Sequence, residues 1–462
     1  MQSFKHSIRS ITTGLFYTTV VAALGASVAS AKVSPEKAAQ LGGAQLTPMG
    51  AERAANADGS IPAWTGGLKK LPAAYKPGER LVDPYAGEAP LFAITAANAN
   101  QHKDKLSPGQ LALLNRYPDS FKMNVYPSHR SARLPDTEYQ RIKTGATQTD
   151  MVEGGNGLVN FSASVPFPIP QSGQEVIWNH ITRYRTPLGV SRRYTQIPVQ
   201  ASGGFTPVLF EESVLFANRF ANNPNPNRLF VFLQRILAPA RLEGDVLLVH
   251  ENIDQIKEPR SAWLYNAGQR RVRLAPTIAY DGPGTASDGL RTSDDLDMFN
   301  GALDRYNWEL KGKRELYIPY NSYRLRDGKL AYKDILNKGH MNPEHLRYEL
   351  HRVWVVEATL KEGSRHIYAR RTFFVDEDTW QIAIADHYDG RGELWKVKEG
   401  HEVMHYQVAV PWLACESLYD LNSGRYLVTG LDNEEEGYQY DFNYQGKFRD
   451  FTPAALRRAG RR

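Results

Sequence analysis

The feature that most constrains this chain is an alternation of apolar and polar residues that begins near Glu175 and continues to about residue 431. A period of two predicts β-strands with one buried face. Short polar turns separate the segments, so neighbouring strands are predicted to pair as antiparallel hairpins. The predicted strands are EVIWNHIT (175–182), GVSRRYTQIPV (189–199), PVLFEESVLF (207–216), GDVLLVHENI (244–253), AWLYN (262–266), RRVRLA (270–275), ELYIPYNSYRL (315–325), HRVWVVEATL (351–360), HIYARRTFFV (366–375), QIAIADHYD (381–389), LWKVKEGHEVMHYQV (394–408), ESLYDLN (416–422) and GRYLVTGL (424–431).

Helical patterns are few. Ser34 before a proline and Ser107 before a second proline predict the caps of two short helices. Further short helices are predicted at 227–237, at 293–299 and after the Asn342-Pro343 pair, with three aspartates in the first turn of the second one. The predicted fold is therefore mainly β with few helices, an α+β chain. A sheet of more than ten strands cannot stay flat, so it is predicted to curve, split or close.

The N-terminus has the layout of a secretory signal peptide. Lys5 and Arg9 precede an apolar stretch, and Ala29-Ser30-Ala31 is a small-residue cleavage site. The predicted mature protein starts near Lys32 in the periplasm, and the absence of cysteine near the cleavage site predicts that it is not a lipoprotein. A retained membrane anchor is the alternative interpretation. Four regions are predicted: signal peptide (1–31), an irregular N-terminal arm with short helices wrapping the sheet (32–167), an antiparallel half-barrel domain (168–450) and a basic C-terminal tail (451–462).

Composition excludes several classes of protein. Cys415 is the only cysteine, so no internal disulfide can form, as expected for an exported chain that avoids cysteine. Removal of Lys5 and Arg9 leaves 54 basic and 50 acidic residues, a net charge of +4 with no lysine block, so no nucleic-acid partner is predicted. The motifs of serine hydrolases, P-loop proteins and dinucleotide-binding enzymes are absent.

Residues 262–275, AWLYNAGQRRVRLA, predict a hairpin with its turn at 266–269. The ordinary interpretation is a sheet with one dry and one wet face. Because few helices are available to cover so many aromatic residues, a sharper interpretation is a ligand cavity on the concave face. The candidate cavity residues are Trp178, Phe210, Trp263, Tyr265, Trp308, Trp354 and Trp395. Arg271 and Arg273, on the opposite face of their strand, are candidates for contact with an anionic head group or a partner, with solvated edge arginines as the alternative.

Residues 401–405, HEVMH, match the H-E-x-x-H pattern of zinc proteases. On a helix His401 and His405 would lie about 6 Å apart and could share one metal. On a strand they would lie about 13 Å apart and Glu402 would point to the other face. The flanking residues alternate on both sides, which favours the strand. No metal or other cofactor is therefore predicted, and a zinc hydrolase using these three residues is the weaker alternative.

Three stretches resemble a known bacterial family, domain of unknown function 1329. They are NADGSIPAWTGG (56–67), AWLYNAGQRRVRLAPTIAYD (262–281) and FFVDEDTWQIAIADHYDGRGELWKV (373–397). The resemblance implies a relative of the LolA/LolB lipoprotein-carrier fold, an open half-barrel whose concave face holds acyl chains. It also implies association with an inner-membrane RND-type exporter and an outer-membrane protein, and it offers no catalytic residues to carry over.

These observations favour a non-enzymatic periplasmic carrier for a lipid or other hydrophobic molecule, accessory to an envelope export system. Two alternatives stay open. One is the zinc hydrolase, and the other is a structural adaptor of an exporter with a fully packed core.

Overall fold

The alternating region folds into one large sheet. The computed structural model describes residues 32–162, 164–275 and 280–460, so the predicted signal peptide lies outside the described residues. Sixteen strands form one sheet, and two short ones form a separate hairpin. The strands are β1 (Phe92–Ile94), β2 (Met123–Val125), β3 (Asp150–Met151), β4 (Leu158–Val159), β5 (Gly189–Val199), β6 (Val208–Leu215), β7 (Arg228–Ala238), β8 (Val246–Asn252), β9 (Ser261–Asn266), β10 (Arg271–Leu274), β11 (Tyr306–Pro319), β12 (Tyr348–Leu360), β13 (Arg370–Asp376), β14 (Ile382–Tyr388), β15 (Leu394–His405), β16 (Val410–Asp420), β17 (Tyr426–Leu431) and β18 (Tyr440–Asp441).

The sheet follows the order β1-β2-β12-β13-β14-β15-β16-β17-β5-β6-β7-β8-β9-β10, with β11 paired to β12 and β18 paired to β5. Pairing is antiparallel except between β2 and β12, where Val125 lies beside Tyr348 in parallel register. The prediction of a mainly β chain with a largely antiparallel sheet is confirmed.

The helices are short. They are α1 (Pro35–Ala39), α2 (Pro108–Arg116), α3 (Asp136–Gly145), α4 (Gly173–Thr182), α5 (Tyr332–Ile335) and α6 (Leu456–Ala459), with 3-10 turns at Ala99–Lys105, Glu153–Gly155, Ala217–Arg219, Ser293–Asp295, Tyr323–Arg326, Pro343–His345 and Phe448–Asp450. The two predicted serine caps are confirmed: Ser34 accepts from Lys37 N–H, and Ser107 accepts from Gln110 N–H in a full capping box. In the described part of the chain, no helix is long and apolar enough to cross a membrane.

In two predicted elements, helix and strand are interchanged. Residues 175–182 belong to α4, not to a strand, and all eight are buried. The missed signal is Ser172, whose hydroxyl accepts from Glu175 N–H three residues on, a capping pattern. Conversely, residues 227–237 form most of β7 rather than a helix. Both faces of that strand are covered, so its apolar run lacks the alternation that separates a strand from a helix.

The sheet curves around residues 280–304, here called the inner segment. The ring of Phe299 packs on Phe373 of β13, with centroids 5.5 Å apart. The next residue, Asn300, accepts a 2.7 Å hydrogen bond at its carbonyl from Arg260, which immediately precedes β9. Strands β13 and β9 are nine positions apart in the sheet, about 43 Å if it were flat. Because one short segment contacts both, the sheet must curl around it.

The two faces of the curved sheet are covered by different parts of the chain. The inner face packs against α4 and the inner segment in one core, which includes Trp178, Phe299 and Phe230. The outer face of the central strands packs against α2 and residues of the N-terminal arm such as Ile61. At β7–β9 the outer face is covered by the C-terminal residues around Leu456. Alternate side chains of these strands therefore point into two different hydrophobic cores, rather than into one core and the solvent.

Candidate ligand-binding site

The inner segment is held in the sheet by buried ionic contacts. Arg371 of β13 donates a 2.6 Å hydrogen bond to Asp294 Oδ2, and Tyr368 donates its hydroxyl to Asp295 Oδ2 at 3.0 Å. Lys398 of β15 donates to the carbonyl of Asp295. Burial alone would raise the pKa values of both aspartates, but Arg371 acting on both, with His366 beside Asp294 and His387 beside Asp295, holds them below their ordinary values. Both carboxylates are therefore charged and matched by the sheet.

A second anchor lies at Asp297. Its two carboxylate oxygens accept from Arg183 and Arg185, which follow α4, and its carbonyl lies 2.9 Å from His180 Nε2. Burial would raise the pKa of Asp297, but the two arginines lower it well below its usual range. The inner segment is thus tied to α4 as well as to the sheet.

Backbone strain is concentrated in the same segment. Five non-glycine residues of the inner segment have positive φ angles between 51° and 66°, and the rest of the described chain has five more. These residues are Tyr280, Ala286, Asp288, Asp297 and Met298. A left-handed conformation costs an ordinary residue about 1 kcal/mol or more, so the ionic contacts hold a strained path in place.

An apolar cleft lies between the inner face of the sheet and the inner segment. It consists of two adjoining cavities that share Phe230, Phe232, Leu296 and Asn300. The apolar walls come from β6–β8 and β16, through Val214, Phe216, Phe230, Phe232, Leu247, Val249, Trp412 and Leu413. The two cavities have volumes of about 60 and 40 Å³, which is enough for a few water molecules. In this conformation the inner segment and α4 together pack against the concave face.

Charged groups line the cleft beside these apolar walls. Three of them are buried and present an atom that has no hydrogen-bond partner among the described residues: Arg185 Nε, Arg291 Nε and Glu251 Oε1. Burial, with Arg183 nearby, lowers the pKa of Arg185 to about 10. Burial also raises the pKa of Glu251, although Arg260 opposes the rise. Unpaired buried polar atoms are costly, so these three are available to a polar group of a ligand.

Residues 93–457 match the family model described as "Protein of unknown function (DUF1329)". The chain belongs to the DUF1329 family. The resemblance stated from the sequence is therefore confirmed, although its first stretch, 56–67, lies outside the matched residues. "Uncharacterized protein PA3922" of Pseudomonas aeruginosa is 58% identical over 450 residues, 96% of this chain and 98% of that protein.

Two solved structures are similar to this DUF1329 protein. A DUF1329 family protein from Desulfovibrio piger shares 15% identity over 59% of this chain and 92% of that one, with a TM-score of 0.41. LolA superfamily protein NE2245 from Nitrosomonas europaea shares 12% identity over 61% of this chain and 98% of that one, with a TM-score of 0.37. The superpositions are partial, and the curvature described above rests on contacts within this chain.

None of the seven predicted cavity residues lines this cleft. Trp178 is buried in α4 and donates Nε1–H to the carbonyl of Gly155. Trp308 stacks on Phe373 and Trp354 stacks on Trp380 in the inner core. The other predicted residues lie elsewhere: Phe210 packs in a small cluster with Tyr194, Trp395 is half-buried beside Lys396, and Trp263 and Tyr265 pack on the outer face. Alternation placed them on strands, but curvature decided which face meets the cleft.

The predicted hairpin is confirmed, with Tyr265 opposite Val272 and Trp263 opposite Leu274. Its outer face packs near the C-terminal helix α6, because these aromatics share a face with Val246 and Leu248 of β8. Arg271 and Arg273 are exposed on the edge strand, and Arg273 donates to the side chain of Gln269 at 2.9 Å. They lie on β10, the outermost strand of the sheet, two places from β8, which carries Glu251 of the cleft.

The H-E-x-x-H match lies on β15, as the alternating flanks predicted. A bulge falls between His401 and Glu402. His401 Nε2 lies 3.1 Å from Ser417 Oγ, whereas His405 Nδ1 lies 2.6 Å from the hydroxyl of Tyr438. Glu402 accepts from Thr379. The strand keeps the two histidines about 13 Å apart, so the zinc-protease geometry is not formed.

Sequence reasoning missed the ionic anchors of the inner segment. The sequence places Asp294, Asp295 and Asp297 in the first turn of a short helix. Only Ser293–Asp295 forms a turn of 3-10 helix. The carboxylates of Asp294 and Asp295 meet Arg371 of the sheet, whereas that of Asp297 meets the arginines after α4. Their partners lie more than seventy residues later, on β13–β15, or more than a hundred earlier, after α4. No local pattern signals such pairs.

Proposed function

We propose that this DUF1329 protein is a carrier that binds a lipid or other hydrophobic molecule in the cleft beneath the inner segment. The observation that supports it is a cleft with apolar walls on β6–β8 and β16, covered by Leu296 of a strained segment that charged side chains hold in place. The buried charged groups at the same cleft would meet a polar head group.

Binding requires the inner segment to move. A cleft of this size holds a few waters, whereas burial of a chain contributes about 0.8 kcal/mol for each methylene. A ligand that replaces Leu296 against Phe230 and Phe232 exchanges one apolar contact for another. Release of the strained backbone would offset part of the cost of breaking the ionic anchors. The structure described here is the closed form in this proposal.

We further propose a periplasmic location, reached by cleavage of residues 1–31, and a role accessory to an RND-type exporter of the inner membrane and an outer-membrane protein. The signal-peptide layout of residues 1–31 supports the location, and the family resemblance supports the accessory role. N-terminal sequencing of protein from the periplasmic fraction should start near Lys32. Cross-linking in intact cells should recover an exporter subunit, and recovery of neither type of partner would contradict the accessory role.

The binding proposal is tested with a fluorescent fatty-acid probe and native mass spectrometry of gently extracted protein. Val249→Trp fills the cleft and should abolish probe binding. Leu274→Trp, at an exposed position on the outer face of the edge strand β10, is the matched control and should bind as the wild type does. Melting curves of both variants show whether they fold. Absence of probe binding and of any bound lipid in the wild type would contradict the proposal.

The small volume of the cleft favours a second function, a non-catalytic adaptor that bridges exporter and outer membrane. An adaptor needs no movement of the inner segment. It predicts that Val249→Trp leaves exporter cross-linking unchanged and that no lipid is recovered, so the same experiments separate the two functions.

A further inference from the structure

A cluster of buried acids surrounds the turn between β13 and β14. The acid cluster comprises Glu349, Asp376, Glu377, Asp378 and Glu402, and each is at most 5% exposed. His351 of β12 lies among them. The turn belongs to the stretch 373–397 that carries the family resemblance, yet the cleft and its anchors make no use of it.

Three of the five carboxylates are neutralised by basic side chains. Arg347 Nε lies 2.6 Å from Glu349, Lys313 Nζ lies 2.7 Å from Glu377, and Arg130 forms two hydrogen bonds to Asp378. In the described part of the chain, Asp376 and Glu402 have no lysine or arginine within 4.0 Å. Both accept from the hydroxyl of Thr379, at 2.9 and 3.0 Å, although that hydroxyl has a single proton. Two buried carboxyl groups therefore lack a basic partner other than His351.

The histidine faces one of these carboxylates without a hydrogen bond. His351 Nε2 lies 3.3 Å from Glu349 Oε2, which suits an N–H donor at that nitrogen. Its other nitrogen, Nδ1, lies 3.6 Å from Asp376 Oδ1. That oxygen is fully buried and has no hydrogen-bond partner among the described residues. With the proton on Nε2, a ring lone pair and a carboxylate lone pair face each other.

This separation suits two ligands of one metal ion. Zinc–nitrogen and zinc–oxygen bonds of about 2.1 Å in a tetrahedron place two ligand atoms about 3.4 Å apart. Ligand atoms of His351, Asp376 and Asp378 all lie within 4.8 Å of one another. The hydroxyl of Tyr320 is also buried and has no hydrogen-bond partner in the part of the chain that the structure describes, and its ring lies 4.0 Å from the ring of His351. The site thus presents three ligands and a further unpaired polar atom.

We propose that His351, Asp376 and Asp378 bind one divalent transition-metal ion, such as Zn²⁺. An imidazole with two carboxylates suits zinc and its neighbours better than calcium or magnesium, which prefer oxygen ligands alone. Glu349 holds His351 in the tautomer that offers Nδ1 to the metal, as outer carboxylates do in zinc sites. The ion supplies the missing positive charge and fixes the β13–β14 turn against β12.

The test titrates EDTA-treated full-length protein with Co²⁺, whose visible spectrum reports tetrahedral ligands, and with Zn²⁺ in competition. One equivalent should bind. His351→Gln and Asp376→Asn should each weaken binding by more than about a hundredfold, and Glu349→Gln by about tenfold. Asp386→Asn is the matched control: Asp386 is equally buried on β14 but bonds to Ser107 and Gly109, and its variant should bind Co²⁺ as the wild type does.

If a variant does not fold, measurements on the wild-type protein alone still test the metal site. X-ray absorption of the zinc-loaded protein should show one histidine among oxygen ligands. Failure of the wild type to bind Co²⁺ or Zn²⁺, binding that survives His351→Gln, or a shell of oxygen ligands alone would each overturn the proposal. In the first case, ¹⁵N shifts showing a doubly protonated His351 would identify an imidazolium between Glu349 and Asp376 as the arrangement in its place.

Discussion

Two buried groups of carboxylates in this protein differ in how they are neutralised. At the inner segment, Asp294, Asp295 and Asp297 meet cationic side chains supplied by the sheet and by the chain after α4. In the acid cluster, two carboxyl groups have no lysine or arginine partner among the residues that the structure describes. Burial raises the pKa of Asp376 well above its ordinary value, with Asp378 adding to the rise, whereas the pKa values of the three inner-segment aspartates are lowered.

The role of a buried acid therefore has to be inferred from its partners rather than from its burial. The first group acts as a set of anchors that position a strained segment over the cleft. In the second group, Asp376 Oδ1 and the hydroxyl of Tyr320 are buried without a hydrogen-bond partner among the described residues, and a cation would complete the site.

The largest effect is expected from Arg371→Met. This change keeps much of the side-chain volume but leaves Asp294 and Asp295 buried without their arginine, so the free energy of unfolding should fall by about 3–5 kcal/mol. Urea unfolding measures it. Adding Asp294→Asn should recover part of the loss. A loss below about 1 kcal/mol would mean that these aspartates are not anchored by charge.

Asp297→Asn should loosen the inner segment without unfolding the protein. The carboxylate is a quarter exposed and holds two arginines, so its neutralisation should cost about 1.5–2 kcal/mol of local stability. Amide hydrogen exchange of residues 282–300 should accelerate by about tenfold or more, and the fluorescent probe should bind faster. Unchanged exchange in this segment, with the rest of the protein as the internal control, would argue against a movable cover.

A third prediction concerns a buried histidine outside both groups. Burial lowers the pKa of His401 to about 3, so the unfolded chain takes up a proton below pH 6.5 that the folded protein does not. Stability contributed by neutral His401 is therefore lost as the pH falls. Relative to His401→Gln, the wild type should lose about 1.4 kcal/mol for each pH unit between 6 and 4.

The quantity to measure is the difference in free energy of unfolding between the wild type and His401→Gln. The absolute value is less informative, because buried acids with raised pKa values stabilise the fold at low pH, opposite to His401. Burial raises the pKa of Glu402 to about 8 and that of Asp386 to about 7, and both favour folding at low pH. These contributions cancel in the comparison. A difference that does not change with pH would show that His401 is protonated in the folded protein or is reached by water.

The smallest effect has the most informative sign. In metal-free protein, Asp376→Asn removes a buried acid whose pKa is raised by burial, so the free energy of unfolding should rise by about 1 kcal/mol, whereas Asp294→Asn should lower it. With one equivalent of Zn²⁺ present, the order for Asp376→Asn should reverse, because the wild type alone gains binding energy. Destabilisation by Asp376→Asn in the absence of metal would remove the contrast between the two groups.

Local patterns in the sequence predicted much of the fold. Strand β5 was predicted at its observed bounds, 189–199, the 262–275 hairpin in its observed pairing, and the helices after Ser34 and Ser107 at their caps. The strand environment of residues 401–405 followed from the flanking alternation. In each case the signal lies within a few residues, because side-chain period and capping are properties of the local backbone.

The tertiary structure alone decided which face of each strand meets the cleft and which charges meet each other. Alternation placed Tyr265 on a strand, but the curl of a sixteen-stranded sheet put it on the outer face, and Phe232 of β7 on the inner one. Asp294 pairs with Arg371, and Asp376 lies beside His351. The tertiary structure brings these residues together although they are far apart in sequence. A period of two shows that a strand has two different faces, but it does not show which face is the inner one. That is decided only when the sheet curves around the inner segment.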